Sequence, residues 1–178
     1  MHDAAIQSLI RSRYGAIHGA TPTSDYPDYL CVANDDAPKA VLGLRRAGSA
    51  TLFLERYLDA PIEQVLGAWL ARPVPRARIV EIGCHASQHC HATIALWREA
   101  AETLSDEADV AVAVMTRPLR AMFARLALPL TVIAPALRDA VDDPAAWGRY
   151  YDSDPRVCAG SIADCRTALD AALPRGRA

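Results

Sequence analysis

Two short runs, R-I-V-E-I-G at residues 78–83 and V-A-V-A-V-M-T at residues 110–116, decide the fold. Both are rich in β-branched residues, and 110–115 is apolar throughout, as a central strand buried on both faces should be. Between them, 92–104 carries Ile94, Trp97, Ala101 and Leu104 at helical spacing. Strand, helix, strand is the unit that lays two parallel strands side by side. Past Thr116 the pattern repeats. Pro118 sits in the first turn of a helix with Leu119, Met122, Phe123 and Leu126, and 130–134 is the next strand. An aromatic, polar stretch at 147–155 separates it from a last strand at 156–162.

Working towards the N-terminus, Asp59, Pro61 and Glu63 open a helix whose face is Ile62, Val65, Leu66, Trp69 and Leu70. The proline-broken 72–75 ends it. Three runs before that, 29–33, 40–46 and 51–55, are separated by the turn signals 34–38 and Gly48-Ser49, and read as an antiparallel meander. Asp3 is placed to cap a first helix bearing Ile6, Leu9, Ile10 and Arg13. Antiparallel strands followed by alternating strands and helices predict an α/β fold: a mixed central sheet, flanked by helices, with a parallel pair at its centre.

The composition narrows the class. With 178 residues, 52% of them apolar and 22% charged, the chain suits one globular domain and excludes a disordered or collagen-like protein. Nineteen basic against 21 acidic residues leave a net charge of −2, so no basic field draws nucleic acid. No run approaches the roughly 18 apolar residues of a membrane span. The first 14 residues lack a signal peptide's apolar core and cleavage site. Five cysteines (Cys31, Cys84, Cys90, Cys158, Cys165), odd in number and irregularly spaced, suit reduced thiols in a cytoplasmic protein.

Six ungapped blocks carry a family resemblance. They are I-R-S-R-Y-G-A-I-H-G-A (10–20), G-L-R-R-A (43–47), L-F-L-E-R-Y-L-D-A-P-I-E (52–63), I-V-E-I-G (79–83), T-R-P-L-R (116–120) and W-G-R-Y-Y-D-S-D-P-R-V-C-A-G (147–160). Together they resemble the thermostable hemolysin family from about Ile10 to Ile162; the name records a phenotype and no chemistry. The layout is similar, more distantly, to acyl-homoserine-lactone synthases, enzymes of the acetyltransferase-like (GNAT) fold. The resemblance implies one GNAT-like domain over 1–165, with a C-terminal helix end and frayed tail over 166–178. It also implies an N-acyltransferase with no tightly bound cofactor, moving an acyl group from acyl carrier protein or acyl-coenzyme A to a small amine or amino acid. A membrane-active hemolysin and a catalytically inactive GNAT-fold binding module stand beside it. The first lacks support from any lysine-rich amphipathic helix or alternating barrel segments.

In a GNAT site the pantetheine arm lies where two core strands part, which here implies 81–84 and 112–115. Gly83, Cys84, Ser87, Val112, Val114 and Thr116 are then the donor-binding candidates. The following stretch, A-S-Q-H-C-H-A at 86–92, holds no glycine, so a diphosphate approaches its backbone less readily and a carrier-borne phosphopantetheine fits better. Glu81 stands in an otherwise apolar strand, where burial raises a carboxyl pKa toward that of a general base for an amine. The alternative is a structural carboxylate paired with Arg45 or Arg13.

Glu55 is a second candidate base. Arg13 and Arg45 are candidate substrate oxyanion forks, with Arg11 and Arg13 on different helix faces. Tyr151 is a candidate general acid, and Tyr150 a lid over the substrate, unless both merely pack. His85 is a candidate substrate contact, or base beside the thioester, as is His89. The dense C-H-A-S-Q-H-C-H at 84–91 invites zinc, but its spacing matches no standard finger and no metal site is expected. The family pattern has Asn-Leu where this chain has Cys84-His85. Arg117 and Arg120, with Arg125 and Arg98 near, could dock an acidic carrier protein or simply face solvent.

Overall fold

β3 (Ile79–Ser87) pairs antiparallel with β2 (Ala37–Arg46) on one side and parallel with β4 (Val110–Met115) on the other. This is seen in a computed structural model that describes residues 2–21, 26–34 and 37–172. β1 (Asp28–Asn34) flanks β2, and β6 (Arg156–Ser161) pairs antiparallel with β4, with β5 (Thr131–Pro135) outside it. The sheet order is therefore β1-β2-β3-β4-β6-β5, with its parallel pair at the centre. The helices are α1 (His2–His18), α2 (Ile62–Leu70), α3 (Cys90–Leu104), α4 (Arg117–Arg125) and α5 (Ile162–Ala172).

Strand alternation sorts the core into layers. Leu42, Leu44, Val80, Ile82, Ala113 and Met115 point to the face covered by α3, α4 and α5, where they meet Leu96, Trp97, Phe123 and Leu169. Ile79, Val112, Val157 and Ala159 point the other way, against Leu54 and the α2 residues Ile62 and Leu66. On that second face α1 packs Ile6, Leu9 and Ile10 against Val41, Cys84 and Ala86.

Three expectations are corrected. The meander has no strand at 51–55: Phe53–Tyr57 forms a 3-10 turn, because the Phe53 and Leu54 N–H groups bond to the buried Glu81 carboxylate instead of a strand partner. The third antiparallel strand is β3 itself. The last strand ends at Ser161, and Ile162 instead opens α5, which packs on α3 with Leu169 buried. Asp3 lies inside α1 rather than ahead of it, its side chain outside the described residues. Residues 35–36 of the 34–38 turn and the 174–178 tail also lie outside them.

β3 carries one irregularity that shapes everything nearby. Gly43 pairs with Gly83 and Val41 with Ala86, so β3 spends one residue more than β2 over the same span. The extra residue is a bulge at Cys84, whose φ is +46°. Beyond it the alternation inverts. Cys84 and Ala86 turn to α1, while His85, which unbroken alternation would send with Glu81, turns instead toward Trp97 on α3.

Candidate active-site cleft

The β3–β4 pairing runs from Ile79/Val110 to Ile82/Ala113 and stops. Beyond that point β3 follows β2 as far as Ser87 while β4 follows β6 as far as Met115, so the two parallel strands part. A cavity of about 340 Å³ opens in the gap. Glu81, Gly83, Cys84, Ser87, Val114 and Thr116 line it, and α1 reaches it with Arg13, Tyr14, Ile17 and His18.

Glu81 is 1% exposed and lies at the base of the cleft. Its Oε2 accepts the Phe53 N–H and its Oε1 the Leu54 N–H, both at 2.8 Å. Arg45 Nη1 stands 3.8 Å from Oε2, and the Tyr26 hydroxyl also bonds to the carboxylate. Burial nevertheless outweighs these bonds and raises the Glu81 pKa above the ordinary glutamate value. Tyr26 lies flat across Gly43 and Gly83: a Cβ at Gly43 would come within 2.5 Å of the ring and one at Gly83 within 2.0 Å of the hydroxyl. Burial, and then the neighbouring Glu81, push the Tyr26 pKa well up, so the phenol keeps its proton.

The walls are aromatic. Tyr14 stacks on Tyr150 with ring centres 6.2 Å apart, and Tyr150 meets Trp147 at 5.2 Å and His18, edge-on, at 5.2 Å. Burial raises the Tyr150 pKa and, with Arg149 nearby, lowers that of His18. On the opposite wall the His85 ring stands 6.1 Å from Trp97, and burial lowers the His85 pKa to about 4, so the imidazole is neutral. Among the described residues, three buried side-chain polar atoms lack a hydrogen-bond partner: Arg13 Nε, His85 Nε2 and Trp97 Nε1. All three residues line this cleft. Buried polar atoms are almost always paired, so three such residues around one cavity leave bonding capacity there for a ligand or ordered water.

Several predicted site residues stand elsewhere. Val112 is fully buried in the α2-side core, sealed between Glu81 and Ala159 in the ladder, and does not border the cleft. Arg45 lies behind Glu81, its guanidinium 4.7 Å from the centre of the Tyr26 ring, and supports the floor rather than lining it. Glu55 is spent on structure. It takes Arg76 at 2.6 and 2.9 Å and the N–H groups of Leu52 and Ile62, and the Arg76 guanidinium holds its pKa down at about 2. Such a carboxylate is too weak a base for an amine.

Tyr151 bonds to Tyr57, hydroxyl to hydroxyl at 2.8 Å, and it is Tyr57 that reaches the cleft. Arg120 is clamped onto the Met115 and Asp154 carbonyls and the Asp154 carboxylate, so it has no free fork to offer a carrier. Arg98 is likewise bonded to Asp170. Arg117 and Arg125 are exposed.

The Cys/His cluster disperses. Cys84 faces α1 and His85 faces α3, while His89 caps α3 by accepting the Ala92 N–H on Nδ1; Cys90 and His91 are exposed. No group of three potential metal ligands occurs among the described residues.

Sequence reasoning missed Tyr26, Tyr57 and the orphaned Trp97. Trp97 carried a core signal only. For Tyr26 the usable signal was two glycines, Gly43 and Gly83, on strands predicted to be neighbours.

The profile of the thermostable hemolysin family matches residues 1–166. The chain belongs to the thermostable hemolysin family. No curated protein matches it in sequence. Solved structures that share the fold of this thermostable hemolysin family member include FeeM, BjaI and TofI. FeeM, an N-acyl amino acid synthase from uncultured soil microbes, superposes with TM-score 0.62 at 15% identity, covering 93% of this chain and 94% of that one. BjaI, a CoA-dependent acyl-homoserine lactone synthase bound to SAM and isopentyl-CoA, gives 0.62 at 14%, covering 97% and 84%. TofI, in a ternary complex with an inhibitor and MTA, gives 0.56 at 18%, covering 94% and 90%. The fold is thus the GNAT-like one that the resemblance implied. No described helix is long and apolar enough to cross a membrane.

Proposed function

We propose that the cleft between β3 and β4 is an acyl-transfer site, joining the acyl group of a thioester to an amine that also bears a carboxylate. The observation that carries this reading is that all three residues with an orphaned buried polar atom line the cavity at whose base Glu81 lies. The thioester arm fits the gap, where the edge of β3 no longer pairs with β4. Backbone N–H groups around 83–85 are suited to polarise its carbonyl. Fold kinship with N-acyl amino acid and acyl-homoserine lactone synthases points the same way.

The chemistry balances with the groups present. The amine nitrogen attacks the thioester carbon and the C–N bond forms. Its proton passes to the Tyr26 oxygen as Tyr26 gives its own to Glu81, the group with the raised pKa. The C–S bond then breaks, and the proton returns through Tyr26 to the departing thiolate. Arg13 supplies an orphaned guanidinium N–H for the acceptor's carboxylate, and an arginine fork suits that group. The acyl donor is a carrier-borne phosphopantetheine or acyl-coenzyme A. The glycine-free stretch at 86–92, with His89 occupying the N-terminus of α3, favours the single phosphate of the former. Exposed Arg117, between the cleft residues Thr116 and Pro118, is placed to meet an acidic carrier.

The test is to incubate the protein with acyl carrier thioesters, acyl-coenzyme A and a pool of amino acids, and to look for N-acyl products by mass spectrometry. Product that requires a free acceptor carboxylate is expected. No product across both donor types and all acceptors would overturn the assignment.

A further inference from the structure

We infer that His85 and Trp97 form a reading site for an oxygen on the acyl chain, so that the donor is a 3-hydroxy- or 3-oxoacyl thioester rather than a plain one. The inference rests on the acyl-transfer reading and names the donor class it would use. Two polar atoms, His85 Nε2 and Trp97 Nε1, are buried without partners on the same wall, their rings 6.1 Å apart. Trp97 is 7% exposed and lines both the cleft and a smaller cavity beside it.

The position of this pair decides what it can touch. Glu81, Tyr26 and Arg13 belong to the α1 side of the sheet, where the amine and its proton are handled. The bulge at Cys84 sends His85 to the opposite side, against α3. There a second, almost wholly apolar cavity of about 30 Å³ continues from the cleft, sharing Ile82, Trp97 and Ala113 with it. Its remaining walls include Leu128, Leu130 and Cys158, a lining fit for hydrocarbon. A chain passing from the cleft into that cavity must pass Trp97, which lines both.

An unsubstituted methylene there would leave both polar atoms unpaired, whereas a hydroxyl or keto oxygen satisfies them. A hydroxyl accepts the Trp97 N–H and donates to a bare Nε2; a keto oxygen accepts from Trp97 and from Nε2 when that nitrogen carries the proton. The imidazole's low pKa, about 4, keeps it neutral and able to do either.

The experiment measures calorimetric binding of hexanoyl-, 3-hydroxyhexanoyl- and 3-oxohexanoyl-pantetheine to the wild type, His85→Leu and Trp97→Phe. The wild type should bind an oxygenated probe on the order of tenfold more tightly than hexanoyl. Each variant should erase that preference by weakening the oxygenated probe alone, and Trp97→Phe, which keeps the ring and removes the N–H, covers the case in which His85→Leu misfolds. Equal affinities in the wild type, or an equal loss for all three probes in the variants, overturns the inference. In those two outcomes the acyl-transfer reading survives if N-acyl product is still formed. Failure of every probe to bind, with no product formed, removes both.

Discussion

The Tyr26 hydroxyl lies so close over Gly83 that a Cβ on that glycine would stand 2.0 Å from it. Two hydrogen atoms, at Gly43 and Gly83, are therefore what let the phenol reach the Glu81 carboxylate. The contacts differ along the ring. At Gly83 the clash is with the tip of the side chain, which can swing away, while at Gly43 it is with Tyr26 Cγ and Cβ, at 2.5 and 2.6 Å, which cannot. Gly83→Ala should thus retain the fold and lower acyl transfer by roughly a hundredfold or more, the range lost with a proton-transfer partner. Gly43→Ala should cost about 1–3 kcal/mol of stability, as overpacking does. Thermal melts and steady-state rates on the two variants separate these effects.

Why Tyr26 and the bulge escaped the sequence is a matter of physics. The strands, the amphipathic helices and the apolar faces follow from local periodicity, and R-I-V-E-I-G with V-A-V-A-V-M-T already contained the parallel pair and its buried carboxylate. The 3-10 turn at Phe53–Tyr57 did not follow, since its N–H groups are satisfied by a side chain 27 and 28 residues away. The bulge was hidden by residue choice. Asn tolerates a φ of +46° and would have flagged position 84, but this chain has Cys there, which signals nothing about backbone. Glu55 misled for a related reason: a carboxylate at the end of an apparent strand gives no hint of Arg76, 21 residues on, that neutralises it.

With Glu81 as the proposed base, the rate of acyl transfer should rise with pH. Its pKa in the folded protein is raised above the usual 4.5, chiefly by burial, so the base form required for amine attack is gained only as pH climbs past that ordinary value. The rate at subsaturating substrate should rise with pH along a limb displaced upward from a normal glutamate. Glu81→Gln should remove that limb and reduce turnover by about 10²–10⁴-fold. The sign for stability is opposite to that of a salt-bridged acid. The folded state binds the proton more tightly than the unfolded chain, so this residue's contribution declines as pH rises from about 4.5 through the raised folded value, then stays level. A rate profile unchanged in Glu81→Gln would remove the residue from the mechanism.

Glu55 behaves in the reverse sense. Arg76 holds its folded pKa at about 2 against a usual 4.5, so its stabilisation is complete above 4.5 and disappears as pH falls toward 2. Glu55→Gln should lower the melting temperature at neutral pH, corresponding to about 2–3 kcal/mol, and should flatten the acid limb of the stability curve between those two values. Because Glu55 lies outside the cleft, KM for both substrates should stay unchanged.

Arg117 and Arg120 sit three residues apart on one helix, the first exposed and the second bonded on both sides of its guanidinium. Arg120 Nη1 donates to the Met115 carbonyl at 2.7 Å and the Asp154 carbonyl at 2.6 Å, and Nη2 to the Asp154 carboxylate at 2.8 Å. It thereby ties the end of β4, where the cleft opens, to a loop residue whose φ is +48°. Replacing it strands two carbonyls and a carboxylate that also serves Arg156. Arg120→Ala should therefore cost about 2–4 kcal/mol, seen as a lower urea midpoint, and weaken turnover with every donor. Arg117 is exposed at the mouth, so Arg117→Ala should leave the urea midpoint in place. It should raise KM for a carrier-borne donor several-fold, more at low than at high salt, with no change for a free pantetheine thioester. A salt-independent KM for the carrier-borne donor in the wild type would mean that charge plays no part in docking, and Arg117 would then be only a solvated side chain.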